Sequence, residues 1–265
     1  MPNVTVNGVR LHYLAVGAGD PVVVLLHAFP LQARMWQQQM DALGERARLV
    51  APDLKGFGGS DAPDDPSAYS MDGYADDVAA LLDHLGLDRV VIGGLSMGGY
   101  VAFAFLRRHR HRVAALVLAD TKADADTPEV LERRTTQQAT VREQGIGPVV
   151  DAHVENLLTD HTRRERPELV ERARELMQNT PAGFVGGLEA MKQRTAATDE
   201  LSAIDVPTLL LVGDQDGPSP PDVAEAMAAE IPGAELVVLP QAGHLSNLEA
   251  PAAFTDALWA FLDRL

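Results

Sequence analysis

The sequence has 265 residues, 46% of them hydrophobic, so the chain can bury a full core as one large domain or as a core with an insertion. Cysteine is absent, which excludes disulfides, thiolate catalysis and cysteine-bound metals. A formal net charge of −16 repels phosphate backbones and anionic membrane surfaces, so we expect neither nucleic acid nor a membrane as a partner.

The first residues do not resemble a targeting segment. Residues 1–16 show strand-like alternation around an Asn7-Gly8 turn, whereas a signal peptide needs a basic segment followed by an apolar run. No stretch approaches the roughly 18 consecutive apolar residues of a transmembrane helix. We therefore expect a cytoplasmic protein.

Strand and helix patterns alternate after an opening antiparallel hairpin. Apolar patterns predict a strand that starts at Val90 and strands over residues 4–6, 10–16, 22–26, 48–51 and 113–119. Helical spacing and composition predict helices over residues 33–43, 70–85 and 97–109. Ser70 is the expected N-cap of the second of these helices, and Gly86 its expected stop.

The character of the sequence changes over residues 121–200. This stretch has no convincing strand, is dense in charge and repeats apolar residues at helical intervals, which predicts a helical insertion. Alternation then resumes, with strands over residues 206–212 and 234–239 and helices over residues 221–230 and 252–265. The whole pattern predicts an α/β fold, with a mostly parallel eight-stranded sheet wrapped by helices. We expect a core domain of residues 1–120 and 201–265 and a helical cap of residues 121–200.

A serine bracketed by glycines follows the strand that starts at Val90. In the run Gly94-Leu95-Ser96-Met97-Gly98, the serine needs an unfavourable backbone geometry to stand above the sheet. The glycines remove side chains that would collide with the neighbouring strand and helix. The helix that follows directs free amide donors at the serine, which favours a developing oxyanion. This placement indicates a catalytic serine.

Two further polar signals follow the last two predicted strands. Asp214 and Asp216 come directly after the first of these strands, and His244 follows the second. Because ligands bind at the carboxyl ends of strands in open α/β sheets, we expect Ser96, an acid and His244 to meet there. Asp216 is the favoured acid. Asp214 remains an alternative, as does Asp120 at the end of the strand before the insertion.

Essentially the whole chain resembles an α/β-hydrolase fold enzyme. The segments HAFP, DLKGFGGSD, GLSMGG, GDQDGPSPP and GH occur in the order found in that family. HAFP and SMGG most resemble the branch that holds enol-lactonases, small esterases and cofactor-free haloperoxidases. Ala28 stands where glycine is usual and Lys55 where arginine is usual, and neither departure removes a catalytic group.

This resemblance implies a role for each of five residues. Ser96 would be the nucleophile, His244 the general base and Asp216 the acid that orients the histidine. The backbone amides of Phe29 and Met97 would form the oxyanion hole. No cofactor and no metal is implied, since the mechanism needs only water.

The substrate pocket is harder to assign from sequence. We predict a pocket lined by His27, Trp36, Phe184, Met191 and Leu245. A packing role also fits the aromatic residues and the methionine, and a bond to the loop beneath the site fits the histidine. Three arginines of the insertion are expected on a solvated helix face, because acids outnumber bases in that segment: Arg133, Arg134 and Arg142.

Acyl transfer from a small ester or lactone to water, through an acyl-enzyme, is the reaction that these groups suit. The serine argues against epoxide hydrolases and haloalkane dehalogenases, which share the fold but attack with an aspartate. Three alternatives stay open: an enol-lactonase acting on a carboxylate-bearing lactone, perhydrolysis with peroxide as a side activity, and a protein that only binds a ligand under its cap. The sequence is compatible with a monomer or a homo-oligomer.

Overall fold

The computed structural model describes residues 2–265, and their strands form an eight-stranded sheet. In chain order the strands are β1 (Asn3–Val6), β2 (Val9–Val16), β3 (Val22–Leu26), β4 (Arg48–Pro52), β5 (Val90–Leu95), β6 (Val113–Ala119), β7 (Thr208–Gly213) and β8 (Glu235–Leu239). Their order across the sheet is β1-β2-β4-β3-β5-β6-β7-β8. β2 is antiparallel to β1 and β4, and the other neighbours are parallel, which confirms the predicted mostly parallel eight-stranded sheet.

The central strands are buried on both faces. Every residue of β5 and β7 is buried, and β3 and β6 each have a single partly exposed residue. Their apolar runs are typical of parallel strands that helices cover on both sides. The edge strand β8 is less buried, and its Val238 is 42% exposed. Two of the best-buried strands, β5 and β7, therefore carry Ser96 and Asp216 at their carboxyl ends.

The structure contains the five helices that were predicted with bounds, the helices of the insertion, and one short helix, α10, that was not predicted. They are α1 (Gln37–Leu43), α2 (Met71–Leu85), α3 (Met97–His109), α4 (Pro128–Gln144), α5 (Gly147–Leu157), α6 (Asp160–Glu165), α7 (Pro167–Leu176), α8 (Pro181–Lys192), α9 (Pro221–Glu230), α10 (Ser246–Glu249) and α11 (Pro251–Leu262). The helix predicted over residues 33–43 is divided into a 3-10 helix, Ala33–Trp36, and α1. Ser70 caps α2 by accepting a hydrogen bond from the backbone of Gly73, and Gly86 ends the helix with φ 65°, as predicted.

Five helices, α4 to α8, occupy residues 128–192 between β6 and β7, and that range contains no strand. α4, α6 and α8 each begin after a threonine whose hydroxyl oxygen accepts a hydrogen bond from a backbone N–H three residues later: Thr127, Thr159 and Thr180. In α4 and α8 a proline then occupies the first helical position, where its fixed φ suits the helix. The stretch is helical, as its spacing predicts, while its status as a separate cap stays a prediction. Within residues 2–265, none of the helices combines the length and the hydropathy that crossing a bilayer requires.

The chain turns sharply between β5 and α3. Ser96, at the turn, has φ 54° and ψ −113°, a conformation that residues with side chains rarely adopt. A Cβ atom on Gly94 would lie 2.1 Å from the carbonyl oxygen of Gly98, and one on Gly98 would lie 2.2 Å from the carbonyl oxygen of Leu26. Because backbone atoms lie so close at both positions, only glycine fits on either side of the serine.

We expect Gly94→Ala to lower the free energy of unfolding by about 2 kcal/mol or more, because the added methyl group meets backbone atoms of α3. Gly147→Ala is the matched control, since this glycine opens α5 and a Cβ atom there meets nothing within 4 Å. We expect the control to change the free energy of unfolding by less than about 1 kcal/mol. Urea denaturation of the three proteins measures both effects, and equal losses in the two variants would contradict the steric argument.

Candidate active site

Ser96, His244 and Asp216 meet at the carboxyl-terminal edge of the sheet. Ser96 follows β5, Asp216 follows β7 and His244 follows β8. Nε2 of His244 lies 2.8 Å from Oγ of Ser96. Nδ1 of His244 lies 2.9 Å from both carboxylate oxygens of Asp216. The three side chains thus form one continuous hydrogen-bonded chain.

The carboxylate of Asp216 fixes the protonation of the imidazole. A carboxylate only accepts hydrogen bonds, so Nδ1 of His244 carries a hydrogen and Nε2 keeps its lone pair. The hydroxyl of Ser96 therefore donates to Nε2. The backbone N–H of Ser219 holds the carboxylate in place by donating to Oδ1 at 2.9 Å. Asp216 and His244 are 3% and 4% exposed, so water competes little for these hydrogen bonds.

The loop that carries His244 is tied to the helical insertion. The backbone N–H of His244 donates to the carbonyl oxygen of Leu157, at the end of α5, at 3.1 Å. The buried carboxylate of Glu249 accepts a hydrogen bond from the backbone of Gly243 at 2.7 Å. Its other oxygen accepts from both the backbone N–H and the hydroxyl of Thr159, each at 2.9 Å. These bonds fix the position of His244 relative to α5 and α6.

Two opposing effects set the pKa of His244. Burial alone would lower this pKa, because an imidazolium is poorly solvated in the protein interior. The charge of Asp216 and its hydrogen bond to the imidazole outweigh burial. The pKa of His244 is therefore raised above its ordinary value of 6.5.

Phe29 and Met97 follow two neighbouring strands of the sheet, β3 and β5. Phe29 follows β3, and Met97 is the first residue of α3, where N–H groups have no acceptor within the helix. Neither N–H donates a hydrogen bond to an acceptor among residues 2–265. They are the two donors that the resemblance assigns to an oxyanion hole.

Of the three candidate acids in residues 2–265, only Asp216 is hydrogen-bonded to His244. Asp214 accepts a hydrogen bond from the backbone of the loop before the histidine, at 3.2 Å. Asp120, which follows β6 and is 1% exposed, accepts hydrogen bonds from the backbone of Gly213 at 2.9 Å and from the hydroxyl of Ser246. Asp120 therefore links the ends of β6 and β7 to the loop that follows the histidine.

A cavity of about 360 Å³ opens above Ser96 and His244. Helices of the insertion form part of its wall, through Val130 of α4, His153 of α5 and Met191 of α8. Met191 is thus one predicted pocket residue that lines the cavity.

The other four predicted pocket residues are buried but do not line this cavity: His27, Trp36, Phe184 and Leu245. Nε2 of His27 accepts a hydrogen bond from the backbone of Leu54 at 3.0 Å, so this histidine holds the loop after β4. The ring of Trp36 packs against Phe254, and that of Phe184 packs behind Phe29. The cavity lining therefore corrects the pocket prediction for these four residues, which have packing and loop-bonding roles instead.

Sequence reasoning missed several polar residues of the cavity wall. Tyr100 lines the cavity from α3, Lys122 from the segment after β6, and His153 and Asn156 from α5. Lys122 had a sequence signal, because it comes just after a strand whose carboxyl end belongs to the site. His153 and Asn156 of α5 had no such signal, because helical spacing does not show which face of a helix borders a cavity.

Two of the three arginines expected on a solvated face, Arg133 and Arg134, also line the cavity. Arg142, two turns further along α4, is exposed as expected. Arg133 is exposed as expected, although it borders the cavity, and the expectation is corrected for Arg134, which is half-buried. The beginning of α4 lies beside the cavity, whereas Arg142, near its end, is exposed to solvent. Arginines at the two ends of this helix therefore have different surroundings.

His153 contributes a hydrogen-bond acceptor to the cavity wall. Its Nδ1 lies 2.7 Å from the carbonyl oxygen of Val149, so Nδ1 carries the hydrogen and Nε2 keeps the lone pair. Burial lowers the pKa of His153 to about 4. The imidazole is consequently neutral at pH 7 and adds no positive charge.

Histidines outside the site have local hydrogen-bond partners. His109, in the arginine-rich end of α3, lies 2.9 Å from Asp76. Among residues 2–265, no three His, Asp or Glu side chains are grouped in a way that would hold a metal ion.

Comparison with known proteins gives full-length similarities. A family model described as the alpha/beta hydrolase fold matches residues 21–251. The 3-oxoadipate enol-lactonase 2 of Acinetobacter baylyi is 29% identical over 262 residues, which are 98% of this chain and 96% of that protein. A malate-bound thermophilic esterase from Thermogutta terrifontis is 40% identical, with a TM-score of 0.95 over 100% of this chain and 99% of that one. The enol-lactonase from Burkholderia xenovorans LB400 is 31% identical, with a TM-score of 0.91 over 99% of this chain and 100% of that one.

The chain therefore belongs to the alpha/beta hydrolase fold family, and the resemblance seen in the sequence is confirmed. It is a hydrolytic enzyme.

Replacing Asp120 tests whether its carboxyl group is protonated in the folded protein. Burial, and then the charge of Asp216, raise the pKa of Asp120 to about 8. Between the ordinary value of 3.8 and about 8, the folded protein keeps a proton that the unfolded chain releases, so the free energy of unfolding falls as pH rises. Asp120→Asn removes this titration. We expect the free energy of unfolding, measured with urea at several pH values from 5 to about 8, to fall less steeply in the variant. Parallel slopes would show that Asp120 is ionised in the folded protein at pH 5.

Proposed function

We propose that this chain hydrolyses a small carboxylic ester or lactone, with Ser96 as nucleophile, His244 as general base and Asp216 as the acid that orients the base. The observation that carries the proposal is the hydrogen-bonded chain from Oγ of Ser96 through the imidazole to the carboxylate. The similarity to an esterase and to two enol-lactonases supports esters and lactones as the substrate class.

In the first half of the reaction, Oγ of Ser96 attacks the carbonyl carbon while its proton passes to Nε2 of His244. The carbonyl oxygen becomes an oxyanion, which the backbone N–H groups of Phe29 and Met97 would bind. Collapse of the tetrahedral intermediate breaks the ester bond and leaves the acyl group on Ser96. The alcohol takes the proton from the imidazolium; in a lactone it stays attached to the acyl chain.

In the second half, a water molecule attacks the acyl-enzyme and gives its proton to Nε2 of His244. The same two N–H groups bind the second oxyanion. Collapse of this intermediate releases the carboxylic acid and returns the proton to Oγ of Ser96. Asp216 stabilises the imidazolium that forms in each half of the reaction.

The helical insertion is proposed to act as a cap that shapes the pocket. Val130, His153 and Met191 reach the cavity from residues 121–200, whereas Ser96 and His244 reach it from the remaining chain. A site between two parts of a chain is a common place for a ligand pocket. Substitutions at the cavity-lining positions of α4, α5 and α8 would therefore change substrate preference.

Replacing Ser96 with alanine is expected to lower kcat by about 10⁴-fold or more, because no acyl-enzyme forms without the hydroxyl. Hydrolysis of 4-nitrophenyl esters from acetate to decanoate measures the loss. Ser202→Ala, which removes an exposed hydroxyl, is the matched control and is expected to keep wild-type activity.

A fluorophosphonate is expected to label the wild type and the Ser202→Ala control, and not the Ser96→Ala protein. Labelling of the Ser96→Ala protein would place the nucleophile elsewhere. A wild type that is neither active nor labelled would favour the alternative of a protein that only binds its ligand.

The acid side of the pH profile is expected to report His244. The imidazole must be neutral to accept a proton from Ser96, and its pKa is raised, so kcat/KM should fall about tenfold per pH unit below a midpoint above 6.5. In Asp216→Asn the charge that raises this pKa is gone, so burial dominates. The midpoint should then move to lower pH, and kcat should fall by up to about 10⁴-fold. An unmoved midpoint would contradict the role assigned to Asp216.

A further inference from the structure

The wall of the cavity is positively charged although the chain as a whole is acidic. Lys122, Arg133 and Arg134 line the cavity, and no Asp or Glu of residues 2–265 does so. The chain as a whole has a formal charge of −16. Because salt screens charges beyond about 8–10 Å, the groups on the wall decide which ligand charge is favoured inside.

One of these cations already has a counter-charge. The carboxylate of Asp126, whose side chain is 1% exposed, accepts from Nε of Arg134 at 2.5 Å and from Nη1 of Arg194 at 2.6 Å. The guanidinium of Arg194 in turn lies 4.2 Å from the ring centroid of Tyr100. This cluster joins the beginning of α4 to the segment after α8, which is a structural role.

Lys122 and Arg133 have no such partner. Among residues 2–265, neither the ammonium group of Lys122 nor the guanidinium of Arg133 forms an ion pair or a hydrogen bond. Lys122 is half-buried, and burial, and then the charge of Arg194, lower its pKa. An ammonium group held beside like charges in a partly dry cavity is unfavourable, and an anion bound there would reverse that effect.

The position of Lys122 places its charge beside the reacting groups. The hydroxyl of the preceding residue, Thr121, donates to the carbonyl oxygen of Ser96 at 2.8 Å. The segment after β6 is thereby held against the serine turn. The charge of Lys122 also acts on the pKa of His244, which it lowers.

We infer that Lys122, assisted by Arg133, binds a carboxylate of the substrate, so the preferred ester or lactone carries a negative charge in addition to its reacting carbonyl. Monoesters of dicarboxylic acids and lactones that bear a carboxylate share this chemistry. An ammonium group and a carboxylate form a charge-assisted hydrogen bond, which is among the strong polar contacts in proteins. The inference rests on the proposed hydrolysis at Ser96, because that fixes where the carbonyl must lie.

Turnover of monoethyl adipate and ethyl hexanoate compares an anionic and a neutral ester of equal acyl length. In the wild type, kcat/KM is expected to be higher for the anionic ester. In Lys122→Met, the ratio of anionic to neutral kcat/KM is expected to fall by about 10- to 100-fold, mainly through KM. Arg142→Met removes a positive charge from the exposed end of α4 and is the charge-matched control, whose ratio should equal that of the wild type.

An unchanged ratio in Lys122→Met would overturn the carboxylate site while leaving hydrolysis at Ser96 intact. A wild type that hydrolyses neither ester would count against the proposed function instead. Binding of adipate to the Ser96→Ala protein, measured by calorimetry, tests the site without turnover. We expect adding Lys122→Met to weaken this binding at least tenfold and adding Arg142→Met to leave it unchanged. Equal affinities in all three proteins would overturn the inference whatever the turnover assay gives.

Discussion

The backbone at Ser96 is held at a positive φ between β5 and α3, and this turn brings the other parts of the site together. Gly98 approaches the carbonyl of Leu26 so closely that α3 begins directly against the end of β3. The segments that carry the backbone amides of Met97 and Phe29 therefore begin close to each other. A side chain on Gly94 or Gly98 would separate these segments, so the site depends on two positions where a Cβ atom has no room.

Buried carboxylates hold the histidine side of the site. Asp216 orients His244, Asp120 joins the ends of β6 and β7 to the following loop, and Glu249 ties the histidine loop to Thr159. Burying a carboxylate is costly unless its oxygens accept hydrogen bonds, and here backbone N–H groups serve all three. Each acid therefore fixes a loop, because a backbone N–H of that loop or of a neighbouring strand donates to its carboxyl oxygen.

The strands and the meeting of Ser96, Asp216 and His244 could be predicted, because apolar runs mark buried strands and parallel strands end at one edge of a sheet. The pocket could not be predicted in the same way. Trp36 and Phe184 are large and apolar, which indicates that they are buried. It does not show whether their rings line a cavity or pack against other side chains. The spacing of apolar residues also did not predict the break between the 3-10 helix and α1. The two kinds of helix place apolar residues at nearly the same intervals over so short a segment.

Arg133 and Arg134 line the cavity, which shows why counting charges along the sequence does not predict the charge of a pocket. The insertion is acidic overall, but its acids near the site face solvent, as Glu129 and Glu132 do, or are held by arginines, as Asp126 is. Solubility depends on the exterior, where like charges keep molecules apart, whereas recognition depends on the few charges that line the cavity. A ligand anion meets an acidic exterior and a cationic cavity. Cations that the chain itself leaves without a partner therefore indicate the chemistry that a substrate supplies, and here that chemistry is a carboxylate.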